Sequence, residues 1–149
     1  MWHKELGGLR HPVVTDSMKG GFLGPSYSES ESREALDQCG AVYRVLSEDE
    51  MISETVNAIV EGKTIGWFQG RMEFGPRALG ARSIIADPRS ATMQKKLNLK
   101  VKYRESFRPF APSILKECAS DWFDLDIDSP YMLLVSDVKK NIRREMTRD

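Results

Sequence analysis

Twelve residues, Gln69-Gly-Arg-Met-Glu-Phe-Gly-Pro-Arg-Ala-Leu-Gly80, constrain the fold of this chain more than any other segment. Three glycines and a proline exclude regular structure throughout them. On either side, Lys63-Thr-Ile-Gly-Trp-Phe68 and Arg82-Ser-Ile-Ile-Ala-Asp87 read as short apolar strands. The unit from Gly66 to Ala86 is therefore strand, irregular loop, strand. In a Gly-rich loop at a strand's end no Cβ intervenes, so backbone N–H groups can approach an anion closely. The spacing of Gly70, Gly75 and Gly80 is not that of a dinucleotide fingerprint, and no Gly-Lys-Ser/Thr ending marks a Walker A loop. Instead, three arginines, Arg71, Arg77 and Arg82, surround one carboxylate, Glu73. Arginine suits two-pronged contact with phosphate or carboxylate, which points to an anion ligand for at least one of them. The plainer alternative is that Glu73 pairs an arginine and pins the loop.

Charge extends this picture. The chain of 149 residues has 22 basic and 22 acidic side chains, but they are segregated. From Arg71 to Arg108 there are ten basic residues against Glu73, Asp87 and Glu105, a surplus of seven that the remaining chain offsets. A basic middle in an acidic protein suits a centrally bound anion rather than a whole surface built for nucleic acid. The second half of that basic stretch is Lys100-Val-Lys-Tyr-Arg-Glu-Ser-Phe-Arg-Pro-Phe-Ala-Pro112. If it is extended, Lys100, Lys102, Arg104 and Arg108 share one side at period two. Cations so placed repel one another unless a polyanion lies between them. An exposed basic edge strand that discourages aggregation is the competing reading.

The rest of the chain supplies the frame. Residues 1–27, punctuated by glycine and proline, read as a connector, with Lys19 to Tyr27 as an extended arm on the surface. Ser28-x-x-Glu31 and Ser47-x-x-Glu50 have the form of capping boxes that open helices. The first should end near Gly40. The second carries Met51, Ile52, Val56, Ile59 and Val60 on one face and should stop at Gly62. Ala41 to Leu46 is expected to be a strand with Val42 and Leu46 inward, Ser90 to Leu99 a helix, and Phe107 to Leu115 an extended segment broken by two prolines. Lys116 to Phe123 follows as a short helix and Tyr131 to Val138 as a strand. Residues 28–149 thus form one α/β domain.

Other chemistry is poorly supported. Cys39 and Cys118 have neither a CxxC partner nor an adjacent histidine, which excludes a disulfide framework and fits a reducing, cytoplasmic setting. His3 and His11 lack a metal-site pattern. Asp124, Asp126 and Asp128 alternate like a calcium loop but lack its glycine and closing glutamate. No apolar run approaches the roughly 18 residues of a membrane span.

Gly70-Arg-Met-Glu-Phe-Gly-Pro-Arg-Ala-Leu-Gly-Ala-Arg-Ser-Ile-Ile85, followed by Arg104-Glu-Ser-Phe-Arg-Pro-Phe-Ala-Pro112, resembles the C-terminal region of NodU/CmcH-type O-carbamoyltransferases. The resemblance covers about Phe22 to Val138. It implies a YrdC-like α/β fold, a twisted sheet with helices, here incomplete at the C-terminal end. It also implies binding of ATP and carbamoyl phosphate, which with magnesium give carbamoyl-adenylate for transfer to an acceptor hydroxyl. Lys102-Tyr103-Arg104 matches the Lys-x-Arg motif of YrdC-like proteins, which makes Lys102 and Arg104 the catalytic pair. Arg71, Glu73, Arg77, Arg82, Ser83 and Arg108 form the expected substrate- and nucleotide-binding set, with Glu73 orienting an arginine or magnesium. The later Ser-x-Asn motif and the metal-binding histidines of an actin/hexokinase-like N-terminal half are not found. The chain therefore resembles a fragment that folds but does not turn over alone, and that self-associates through exposed apolar surface. A non-catalytic RNA-binding module, or a structural piece that docks on its missing half, are the alternatives.

Overall fold

The structure, a computed structural model, describes Gly7 and residues 15–144. His3, His11 and, apart from Gly7, the rest of the connector up to residue 14 lie outside the described residues, as do residues 145–149. Helix α1 spans Glu29–Gln38 and α2 spans Glu48–Val60. Both start where the sequence places them. The Ser28 side chain accepts the Glu31 N–H, while the Glu31 carboxylate accepts the Ser28 N–H; Ser47 and Glu50 repeat the exchange. Acidic residues fill both first turns, where the helix dipole favours them.

Strand β1, Ile65–Phe68, pairs antiparallel with β2, Arg82–Ile85, in the register Ile65↔Ile85, Gly66↔Ile84, Trp67↔Ser83, Phe68↔Arg82. These two strands are the whole sheet among the described residues. The Asp87-Pro-Arg89 turn follows, closed by the Asp87 carboxylate on the Arg89 N–H and guanidinium. Helix α3, Met93–Lys100, starts three residues later than expected. A 3-10 turn, Lys116–Cys118, leads into the one-turn helix α4, Ala119–Trp122, which together fill the predicted helix at Lys116 to Phe123. The domain is mixed α/β, as expected. No helix among the described residues is long and apolar enough to cross a membrane.

Two expected strands do not form. Across Ala41 to Leu46 the side chains are tied to helices instead: the Tyr43 hydroxyl donates to Asp37 of α1, and Arg44 pairs with Glu54 of α2. Val42, expected inward, is fully exposed because no neighbouring strand covers it. Tyr131 to Val138 makes a single antiparallel bridge, Phe123↔Val138. Met132, at φ 52°, interrupts the extended backbone, and Val135 is fully exposed.

The buried core is small, consisting of Ala81 of the loop's end and Met93 and Leu97 of α3. Helix α2 touches β1, yet Met51, Ile52, Val56 and Val60 stay 38–62 % exposed.

The arm lies on the Gly-rich loop. The Gly24 N–H donates to the Met72 carbonyl (2.9 Å), the Met72 N–H to Pro25 (2.9 Å) and the Phe74 N–H to Gly21 (2.7 Å). A Cβ on Gly24 would sit 2.8 Å from the Met72 carbonyl oxygen, so only glycine permits this approach. The arm's root is held by the Gly20 N–H, shared between Asp16 and the Tyr131 hydroxyl, with that hydroxyl donating to Asp16.

Candidate anion-binding site

The loop between β1 and β2 is organised from within by Glu73. Its side chain is 5 % exposed, and Oε1 accepts three backbone N–H groups, from Leu79 (2.7 Å), Ala81 (2.8 Å) and Arg82 (3.3 Å). Burial pushes its carboxyl up, but the N–H groups of Leu79, Glu73 itself, Ala81 and Arg82 together bring it below the ordinary glutamate value. Glu73 is thus a carboxylate that knots its own loop. It does so through backbone rather than by pairing an arginine, which corrects the arginine-pairing role expected for it.

Arg82 is also turned to the frame. Its guanidinium donates to the carbonyls of Gln69 (2.8 Å), Ala81 (2.8 Å) and Gly70 (3.2 Å), and lies 3.3 Å over the Phe68 ring, its partner across the sheet. Ser83 Oγ accepts the Gly80 N–H (3.0 Å), where Gly80 takes φ 114°, a conformation that favours glycine. Arg71 and Arg77, by contrast, are exposed and make no hydrogen bond or ion pair among the described residues. The knot therefore uses Glu73, Arg82 and Ser83 to shape the loop that displays Arg71 and Arg77. Phe74 is exposed beside them at 72 %.

The second basic segment is a turn, not an extended strand, so the period-two alignment of Lys100, Lys102, Arg104 and Arg108 does not hold. Lys100 ends α3, and Tyr103 takes φ 49°, which reverses the chain. The Lys102 N–H returns to Leu97 (2.9 Å) and the Arg104 N–H to Asn98 (2.9 Å). At the centre stands Asn98, with no exposed surface. Its Oδ1 accepts Arg104 Nε–H (2.7 Å), and its Nδ2 donates to the carbonyls of Arg108 (2.8 Å) and Ser106 (3.1 Å). Gln94, one turn earlier on α3, donates to the carbonyls of Phe107 and Arg108. The Arg104 guanidinium also lies 4.9 Å from the centre of the Phe110 ring. Lys102 is exposed, and Arg108 pairs with Glu105 at 2.8 Å. Tyr103 and Phe107 are 86 % and 77 % exposed.

Two clusters result, each built locally. No hydrogen bond or ion pair joins them among the described residues. Of their residues only Lys100 lines either of two concavities among the described residues, one beside Lys116 and Asp126, the other beneath Thr92 and Leu99 of the α3 region. No group of three or more His, Cys, Asp or Glu among the described residues could hold a metal ion. Within the acidic turn, Asp128 pairs with Lys116 at 2.6 Å. Sequence reading missed Asn98. Its one signal is an asparagine inside a helix between Leu97 and Leu99, where a residue of low helix propensity usually has a partner to satisfy.

A family model described as the carbamoyltransferase C-terminus matches residues 56–148. An uncharacterised protein of Synechocystis sp. is 49 % identical over 99 % of this chain and 24 % of its own length. The nodulation protein NolO of Bradyrhizobium diazoefficiens is 39 % identical over 94 % of this chain and 26 % of its own. A 3'-hydroxymethylcephem-O-carbamoyltransferase of Amycolatopsis lactamdurans is 39 % identical over 66 % of this chain and 18 % of its own. The chain spans about a quarter, or less, of the length of these curated relatives. The matched stretch contains the Glu73 knot, the displayed arginines and the Asn98-centred turn, and by it the chain belongs to the carbamoyltransferase family, as part of that family's C-terminal region.

Proposed function

We propose that this chain is the part of an O-carbamoyltransferase that brings ATP and carbamoyl phosphate together to form carbamoyl-adenylate. One observation carries the reading. The loop consumes Glu73, Arg82 and Ser83 internally and leaves Arg71 and Arg77 exposed, as a frame built to present cations would. Lys102 and Arg104 supply a second set on a short, strained turn. Both substrates are polyanions, and their mutual repulsion needs fixed positive charge to offset it. In balance, ATP, carbamoyl phosphate and one water give carbamoyl-adenylate, pyrophosphate and inorganic phosphate. Lys102 and Arg104 orient the carbamate and the phosphate under attack, while Arg71, Arg77 and Arg108 hold phosphates. This work is positioning and charge stabilisation, which needs little covalent help from the protein.

Magnesium fits here as a companion of the nucleotide rather than as an ion in a protein cage. Glu73 Oε1 is already taken by three N–H groups, and magnesium commonly rides on substrate phosphates. When bound, it would neutralise charge on those phosphates. Transfer to an acceptor hydroxyl falls to the actin/hexokinase-like half expected from the resemblance, and the setting is taken to be cytoplasmic.

The test is carbamoyl-phosphate-dependent exchange of pyrophosphate into ATP, measured on a carbamoyltransferase polypeptide that carries this region. Lys102→Ala and Arg104→Ala should each abolish exchange with the fold intact; retained exchange in both refutes the reading. The 149-residue chain alone should be silent above a Lys102→Ala control. A second reading, a module for single-stranded RNA, is favoured by the exposure of Phe74, Tyr103 and Phe107 beside the cations. It predicts RNA binding that Tyr103→Ala weakens while exchange is unaffected.

A further inference from the structure

We propose that Asn98 is the positioning residue that aims Arg104 at the anion, and that it acts through the guanidinium rather than through the fold at large. The inference rests on the nucleotide reading above. Asn98 is the one side chain among the described residues with no exposed surface, and it is polar. Everything it reaches lies in the cationic turn: Oδ1 accepts Arg104 Nε–H, and Nδ2 donates to the carbonyls of Ser106 and Arg108. Its own carbonyl takes the Arg104 N–H. Arg104 is therefore gripped by one residue at both backbone and side chain, on either side of the left-handed Tyr103.

The grip is selective. It occupies Nε, and among the described residues the two terminal nitrogens of Arg104 make no hydrogen bond, so the end of the fork that suits two oxygens of one anion stays available. The Phe110 ring, 4.9 Å from the guanidinium carbon, limits rotation about the remaining torsions. A lysine at position 104 would keep the charge but could not be read by Asn98 in this way. Buried amides of this kind are high-stakes, because a half-satisfied network costs more than none.

The experiment uses a carbamoyltransferase polypeptide that carries this region and two readouts. Calorimetry measures ATP affinity for wild type, Asn98→Ala, Arg104→Lys and the double variant. Nuclear magnetic resonance follows the Arg104 Nε–H. Asn98→Ala and Arg104→Lys should each weaken ATP binding about tenfold, the scale of one charge-assisted hydrogen bond. The double variant should lose no more than either alone, because both changes remove one interaction. The Arg104 Nε–H should exchange slowly in wild type and rapidly in Asn98→Ala. Losses that add in the double variant, or an Arg104 Nε–H that exchanges in wild type as fast as that of exposed Arg77, overturn the proposal. If Asn98→Ala does not fold, Arg104→Lys carries the decision, and unchanged affinity there overturns it. A wild-type chain that protects the Arg104 Nε–H yet does not bind ATP sinks the nucleotide reading and leaves the placement of Arg104 by Asn98 standing.

Discussion

Glu73 and Asn98 are the two buried polar side chains that hold the candidate site, and they differ in how they could be seen. Glu73 stands out in sequence as one acid among three arginines, which suggests an ion pair. Its real partners are backbone N–H groups, which no sequence displays. Replacing it by glutamine removes a charged acceptor from three donors, and Glu73→Gln should lower unfolding stability by about 2–3 kcal/mol in urea titration. The sign with pH follows from its carboxyl lying below the ordinary value in the folded state. Its contribution is present above the unfolded glutamate range and is lost as pH falls through the lower folded value. The wild-type urea midpoint should therefore fall on acidification below that range, with a smaller fall in Glu73→Gln. Equal falls in both would show that the knot is not ionised. Asn98 was illegible for another reason. Its partners lie six to ten residues on, across a turn whose reversal at Tyr103 no local pattern announces.

The elements that the sequence predicted best are those whose causes are local. Both capping boxes were readable because each is complete within four residues, and Ser47→Ala should cost about 1 kcal/mol in thermal or urea unfolding. The loop was readable because glycine and proline exclude regular structure wherever they cluster. Strands at Ala41 to Leu46 and Tyr131 to Val138 were misread because an apolar run becomes a strand only beside a partner, and partners are non-local. The contact of the arm with the loop was equally hidden, since an extended arm gives no sign of where it lies. Gly24→Ala tests that contact. Backbone rather than a movable side chain stands 2.8 Å from the new Cβ, so the arm should lift. Hydrogen exchange at the Met72 and Phe74 amides should accelerate at least about tenfold relative to wild type, while α1 and α2 keep theirs. Unchanged exchange at both amides would mean that the loop holds its shape without the arm.

At the scale of the molecule, apolar surface exceeds what the three buried apolar residues among the described residues can cover. With the apolar face of α2 open, the isolated chain should bind a hydrophobic dye and form species heavier than 16.9 kDa as its concentration rises. Sedimentation showing a dye-silent monomer throughout would contradict this. Charge adds a direction to any such contact, because residues 28–62 hold nine acids against Arg33 and Arg44, the reverse of the basic middle. Fold class and the position of the loop were legible from composition and spacing, whereas the extent of the sheet depended on pairings that only coordinates reveal. The root of the arm has a consequence for synthesis. Gly20 is fastened to a hydroxyl 111 residues further along the chain. A growing polypeptide presents the Gly-rich loop long before Tyr131 leaves the ribosome, so during that interval the arm can reach Met72 while Asp16 alone holds its base. The full hold on the arm, and through it on the loop that displays Arg71 and Arg77, is therefore completed only after Tyr131 has emerged.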